Sequence, residues 1–165
     1  MTRLLSLLLF FLIAFADSAA LAEGPPSYYL MRHLESRGVG HDERLSETGA
    51  MNAQRLAGRF KADPPGAIYV SATQVSLDTS AWLATELGIN PKLYDPQKLD
   101  VLVKTLSAER APVLIVGHDS VIAQLLAKLT GRPSPPPQDI AVGKVWVIKG
   151  PAKQVTISDL YPPER

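Results

Sequence analysis

The chain has 165 residues, 46% of them hydrophobic, with 17 Lys and Arg against 16 Asp and Glu, so its formal net charge is +1. That balance leaves no electrostatic footprint for nucleic acid or for an anionic membrane surface. The absence of cysteine excludes disulfides, thiol catalysis and cysteine-ligated zinc together, so a hydrophobic core has to hold the fold.

The chain opens on "MTRLLSLLLFFLIAFADSAALAEG". Arg3 is followed by an apolar run from Leu4 to Ala16 and then by small residues, and Ala20-Leu21-Ala22 fits the cleavage pattern of a secretory signal peptide. The run is shorter than the ~20 residues that a membrane span needs. Residues 1–22 are therefore expected to be an export signal. Cleavage leaves residues 23–165, the size of one ordinary domain, in the periplasm or outside the cell and without stable membrane insertion.

Three continuous apolar runs follow: "YYLM" at 28–31, "AIYVS" at 67–71 and "PVLIVG" at 112–117. Such runs suit strands covered on both faces. Helices are expected between and after them. Ser46 is an N-cap for 47–60, with Met51, Leu56 and Phe60 as a partial apolar stripe. The segment 73–87 carries Leu77, Ala81, Ala84 and Leu87 before Gly88. Further helices are expected at 98–109 and 120–131, and "GRPSPPPQD" from Gly131 reads as a stiff surface loop. "KVWVIKG" and "KQVTISDL" form a hairpin turning at Gly150-Pro151. The order β-α-β-α-α-β-α-β-β predicts an α/β fold, a three-layer α/β/α sandwich on a mainly parallel central sheet.

In such sheets ligands bind beyond the carboxyl ends of the strands. Arg32-His33 lies just past the first strand and Gly117-His118-Asp119 just past "PVLIV", so two histidines distant in sequence are expected to meet at one sheet edge. A neutral imidazole can attack phosphorus to give a phosphohistidine that water later hydrolyses. An arginine fork holds phosphoryl oxygens, a second imidazole donates another hydrogen bond, and a carboxylic acid protonates the leaving oxygen. Arg32, His33, His118 and Asp119 supply one of each part.

Four stretches in this order, "LMRHLES", "LSETGAMNAQRLA", "IYVSATQVSLDTSAWLA" and "VLIVGHDSVIAQLL", resemble the histidine phosphatase superfamily, also called phosphoglycerate mutase-like. The small exported or phosphohistidine-phosphatase-like members are the nearest in kind. The resemblance implies that His33 is the phosphorylated nucleophile, Arg32 its phosphate-binding neighbour and His118 the second histidine of the phosphate pocket. Asp119 resembles the acid of the larger acid-phosphatase branch, and Glu35 is its rival for leaving-group protonation. Ser71 leads the middle motif, where it is either a turn residue or a phosphate-side donor.

Three departures from the family pattern stand out. The arginine usual four residues after the motif serine is Val75, and the loss of a pocket cation weakens phosphate binding and turnover. Arg37, in the loop after His33, is the candidate replacement. Leu34 stands where glycine is usual, which reshapes the loop over the site. No long insert of the kind that sets mutase specificity is present.

The resemblance thus implies a metal-independent phosphomonoester hydrolase, weakened by Val75, acting on a small phosphorylated substrate or a phosphoprotein. The competing expectation is a phospholigand-binding protein on the same fold that does not turn over. An alternative of a different class is a metal site drawn from His33, His41, His118, Asp42 and Asp119, but no H-E-x-x-H pattern or close histidine pair selects it. No metal and no cofactor are assigned.

Overall fold

The computed structural model describes residues 26–160. The expected signal peptide and its cleavage point lie outside the described residues. In chain order the elements are β1 (Tyr28–Arg32), β2 (Ser36–Arg37), β3 (Arg44–Leu45), α1 (Glu47–Arg59), β4 (Ala67–Ser71), α2 (Gln74–Leu87), β5 (Lys92–Tyr94), α3 (Leu99–Leu106), β6 (Val113–Gly117), α4 (Asp119–Thr130), β7 (Lys144–Lys149) and β8 (Gln154–Asp159). Single 3₁₀ turns occupy Gly40–Asp42 and Pro137–Asp139. No helix among the described residues is long and apolar enough to cross a membrane.

Six strands form one sheet in the order β5-β4-β6-β1-β7-β8. The β5-β4-β6-β1 pairings are parallel, and β7 and β8 add an antiparallel hairpin at one side. Alternation along the central strands builds two cores. Leu30, Val113 and Ile115 pack with α3 and α4 residues such as Leu102, Ile122 and Leu125. Met31, Leu114 and Val116 face Leu56 and Phe60 of the α1 region and Leu83 of α2. Both faces of β1, β4 and β6 are thereby covered, which is why these strands read as unbroken apolar runs. The architecture is the expected α/β/α sandwich.

The differences from expectation have local causes. Strand β5 is three residues long, too short for a periodicity to show, and only its Tyr94 is buried. The loop after β1 contains the two-stranded pairing of β2 with β3. Met51 is exposed rather than part of the α1 stripe. Helix α2 buries Val75, Ser76, Thr79, Ser80, Leu83 and Ala84 instead of a stripe through Leu77 and Ala81. Its inward face is set by small hydroxyl residues that bond internally, Thr79 to the Val75 carbonyl at 2.8 Å and Ser80 to that of Leu77 at 3.2 Å. A hydropathy pattern does not register such residues as core.

Helix α1 starts against the loop that follows β1. The Ser46 N–H donates to the Glu35 carbonyl at 2.9 Å, and the Ser46 hydroxyl caps the helix by accepting from Gly49 N–H at 3.1 Å. A side chain at Gly49 would collide with that same Glu35 carbonyl, whereas Gly58 in the same helix has open space around it. Gly49→Ala is therefore expected to cost about 1–3 kcal/mol as an overpacked site. Gly58→Ala is expected to gain about 0.5–1 kcal/mol through helix propensity. Urea midpoints of the two variants, at unchanged slope, check the pair.

Candidate active site

The register of β1 on β6 builds the site. Arg32 lies opposite Gly117 in the parallel pairing, and the ladder continues one step further, His33 N–H donating to the Gly117 carbonyl at 2.9 Å. His33 and His118 consequently leave the sheet side by side, with ring centroids 4.8 Å apart and planes inclined at 66°. Gly117 has to be small, because a Cβ there would strike the Tyr94 hydroxyl, which donates to the Val116 carbonyl beneath it at 3.1 Å.

The His33 side chain is almost fully buried, at 1% exposure. Its Nδ1 lies 2.9 Å from the Leu34 carbonyl, an acceptor only, so Nδ1 carries the proton and donates. Nε2 then presents its lone pair, and among the described residues Nε2 has no hydrogen-bond partner. Burial pushes the His33 imidazole below its ordinary value. The Leu34 carbonyl and Glu43 pull the other way, and His118 and Arg32 add to the lowering. A neutral imidazole with a free lone pair at Nε2 is the state that a nucleophile requires.

Leu34 does not cover the site. It is fully buried in the core that contains Met31 and Val116, and its N–H donates to the Thr79 hydroxyl at 3.1 Å. Thr79 on α2 thus anchors the residue whose carbonyl orients the His33 ring. The usual glycine is dispensable here because the side chain turns inward.

Arg32 and Asp119 pair across the mouth of the site, Nη1 to Oδ2 at 3.2 Å, each about one-third exposed. Asp119 Oδ1 also accepts from the Ser120 N–H at 2.6 Å. Its two oxygens are thus committed to Arg32 and to the start of α4. Arg32 keeps a buried Nε without a partner among the described residues. Glu35 lies elsewhere, both its oxygens accepting from the Asn52 side chain on α1 at 3.0–3.1 Å. Arg37 is exposed on β2 opposite Arg44 and is not among the described residues lining the cleft. Ser71 is buried, its hydroxyl bonded to that of Ser76 at 2.7 Å. Val75 is fully buried as well.

The acid that the structure brings to the histidines is Glu43, at the end of the hairpin turn between β2 and β3. Its Oε2 is 3.4 Å from His118 Nε2 and its Oε1 is 3.6 Å from His33 Nε2. Ser36, on the other strand of the hairpin, donates its hydroxyl to Oε1 at 2.6 Å. Burial pushes the Glu43 carboxyl up, but the Ser36 hydrogen bond and the two imidazoles outweigh it and hold the group below its ordinary value. Sequence reasoning passed over Glu43 because the loop carries several acids and no spacing distinguishes one. The signal available was the Gly38-x-Gly40 turn, with both glycines at positive φ, which marks a hairpin folding back.

A cleft of about 520 Å³ opens here, lined by Gly38–Gly40 and Glu43 of the hairpin, by Ala72, Thr73 and Gln74 at the start of α2, and by His118. Against this geometry, the family model described as histidine phosphatase superfamily (branch 1) matches residues 28–96. Over those residues the chain is similar to that superfamily. The match includes Arg32, His33 and the middle motif, and the β1–β6 register supplies the second histidine beyond it.

Solved structures with the same fold include a mycobacterial glucosyl-3-phosphoglycerate phosphatase in complex with inorganic phosphate, at 17% identity and a TM-score of 0.63, covering 81% of this chain and 95% of that one. The alpha-ribazole phosphatase of Shigella flexneri is 16% identical with a TM-score of 0.65, covering 81% and 95%. The protein histidine phosphatase SixA complexed with tungstate is 15% identical with a TM-score of 0.57, covering 80% and 94%. These likenesses show the fold. Comparison with curated protein sequences gives no match.

Thr79→Val leaves the buried Leu34 N–H unpaired, an expected cost of about 1–3 kcal/mol, and frees the His33 ring. Turnover per folded molecule is expected to fall in Thr79→Val and to recover in Thr79→Ser. Equal turnover in both variants would reduce Thr79 to a packing role.

Proposed function

We propose that the protein is a phosphomonoester hydrolase that works without a metal through a phosphohistidine at His33. The observation that carries the reading is the buried Nε2 of His33, unpartnered and close to Glu43 and His118. Arg32 and His118 supply hydrogen bonds to the phosphoryl oxygens, whose charge spreads in the transition state. Glu43, rather than Asp119 or Glu35, acts as the acid. The incoming phosphoryl charge raises the proton affinity of the nearby carboxylate, and the substrate monoanion brings the proton. Nε2 attacks phosphorus, the bond to the leaving oxygen breaks, and Glu43 protonates that oxygen. In the second step Glu43 takes a proton from water, the resulting hydroxide bonds to phosphorus, and the P–N bond breaks to restore the lone pair.

Solved relatives in complex with inorganic phosphate and with tungstate support an oxyanion in this pocket. The open cleft suits a small phosphomonoester or a phosphorylated protein side chain, as the named activities of those structures suggest. Val75 in place of a cation makes the enzyme slow. The amino-terminal pattern Arg3, Leu4–Ala16, Ala20-Leu21-Ala22 supports an exported enzyme, periplasmic or secreted.

Phosphate release from a panel of phosphomonoesters, measured in chelator, is expected in the wild type and reduced by about three orders of magnitude or more in His33→Ala. Because burial lowers His33, the neutral nucleophile persists below the ordinary histidine value of about 6.5. The rate is therefore expected to hold through that pH and to fall only under it, after allowance for the second phosphate ionisation at about pH 6. An acid limb lying above the ordinary histidine value would contradict the assignment. Silence in the wild type with turnover in Val75→Arg, at matched folded fraction, would indicate a phospholigand binder on a disarmed scaffold. For export, the mass of the protein recovered outside the cytoplasm is expected to begin at Glu23; a full-length chain there would refute cleavage.

A further inference from the structure

We propose that the same pocket is a binding site for a zinc-class divalent cation, held by His33, Glu43 and His118, and that the cation and phosphate exclude each other. The donors come from three separate segments: the end of β1, the β2–β3 hairpin and the residue after β6. Their candidate ligand atoms lie within 4.8 Å of one another. A tetrahedral ion with bonds of about 2.0–2.1 Å holds its donors about 3.3 Å apart. The two distances from Glu43 to the imidazoles, 3.4 and 3.6 Å, already approach that edge length. His118 is 37% exposed, so its ring has room to close the third.

A second observation points to a ligand independently. His33 Nε2 is buried, lacks a hydrogen-bond partner among the described residues, and presents a lone pair to a carboxylate. Lone pair facing anion is unfavourable unless a positive charge lies between them. Donation of Nδ1–H to a backbone carbonyl and support of the carboxylate by a hydroxyl are also the outer-shell contacts that metal-bound imidazoles and carboxylates make.

Charge favours a cation as well. Arg32 and Asp119 form an ion pair, Val75 contributes none, and with neutral imidazoles Glu43 leaves one net negative charge at the histidines. Two imidazoles and one carboxylate, with a coordination position left open, suit zinc, cobalt or nickel rather than magnesium or calcium. A cation there takes the lone pair with which His33 would attack phosphorus, so it inhibits hydrolysis. The binding claim stands without the phosphatase reading, whereas the inhibition rests on it.

The test uses tag-free protein stripped with chelator. Cobalt(II) is titrated by visible absorption and zinc by calorimetry, and phosphate release is measured on the same samples. One ion per chain is expected, with affinity lowered at least about tenfold in Glu43→Gln and in His118→Asn, since outer-shell partners alone are worth roughly 10–100-fold. Unfolding curves in chelator establish that each variant is folded, and His41→Asn is expected to bind as the wild type does. Inorganic phosphate is expected to weaken cobalt binding, and stoichiometric zinc to stop turnover. Turnover in stripped protein that binds no cobalt overturns the metal site and leaves the hydrolase. Cobalt binding in protein that never releases phosphate does the reverse. Binding that survives Glu43→Gln but fails in His41→Asn places the ion elsewhere and overturns the inference.

Discussion

The parallel pairing of β1 with β6 is the constraint on which the rest of the site depends. Residue 32 opposite residue 117 puts the two histidines on neighbouring strand ends at one level. Each residue of a strand faces opposite to the next, so a slip of one position would send every side chain of β1 to the other face. Leu30 and Met31 on β1, and Ile115 and Val116 on β6, are each packed into one of two different cores. The hydrophobic energy of both cores therefore resists the slip. Stability and site geometry are the same fact in this molecule: the burial that orders the strands also sets the imidazoles 4.8 Å apart.

Around that pairing, the chain spends its polar contacts on orienting one ring. Thr79 holds Leu34, the Leu34 carbonyl holds Nδ1 of His33, and Nε2 is left without a hydrogen-bond partner beside Glu43. Glu43 is held by Ser36 on the facing strand of a two-residue-per-strand hairpin. Such a hairpin has little stability of its own, so the position of the acid depends on its contacts with Ser36 and His118. Where the family pattern has a cation on α2, this chain has a buried valine. The pocket also holds a carboxylate between two imidazoles. Both features weight its charge in one direction, away from anions and toward cations.

The legible part of the fold was the part with a period. Continuous apolar runs identified β1, β4 and β6, and the caps Ser46 and Gly88 bounded helices to within a residue or two. The exceptions were β5, which is too short to show alternation, and the buried face of α2, where Ser76, Thr79 and Ser80 carry hydroxyls that only internal hydrogen bonds make compatible with a core. Of the site, Arg32, His33 and His118 were readable because a residue just past a buried strand end is placed by the strand itself. Arg37, Glu35 and Glu43 were not, since they sit in a loop whose path follows from contacts rather than from periodicity.

The amino-acid sequence by itself determined the layers of the fold, the strand ends and the pair of imidazoles, because hydrophobic burial and strand alternation are local properties summed along the chain. Tertiary structure alone decided which carboxylate meets those imidazoles, committed Asp119 to Arg32 and Glu35 to Asn52, and turned Leu34 into the core. Those outcomes depend on which groups from distant segments satisfy one another once the sheet has formed, and a hydrogen bond across such a distance leaves no spacing to read.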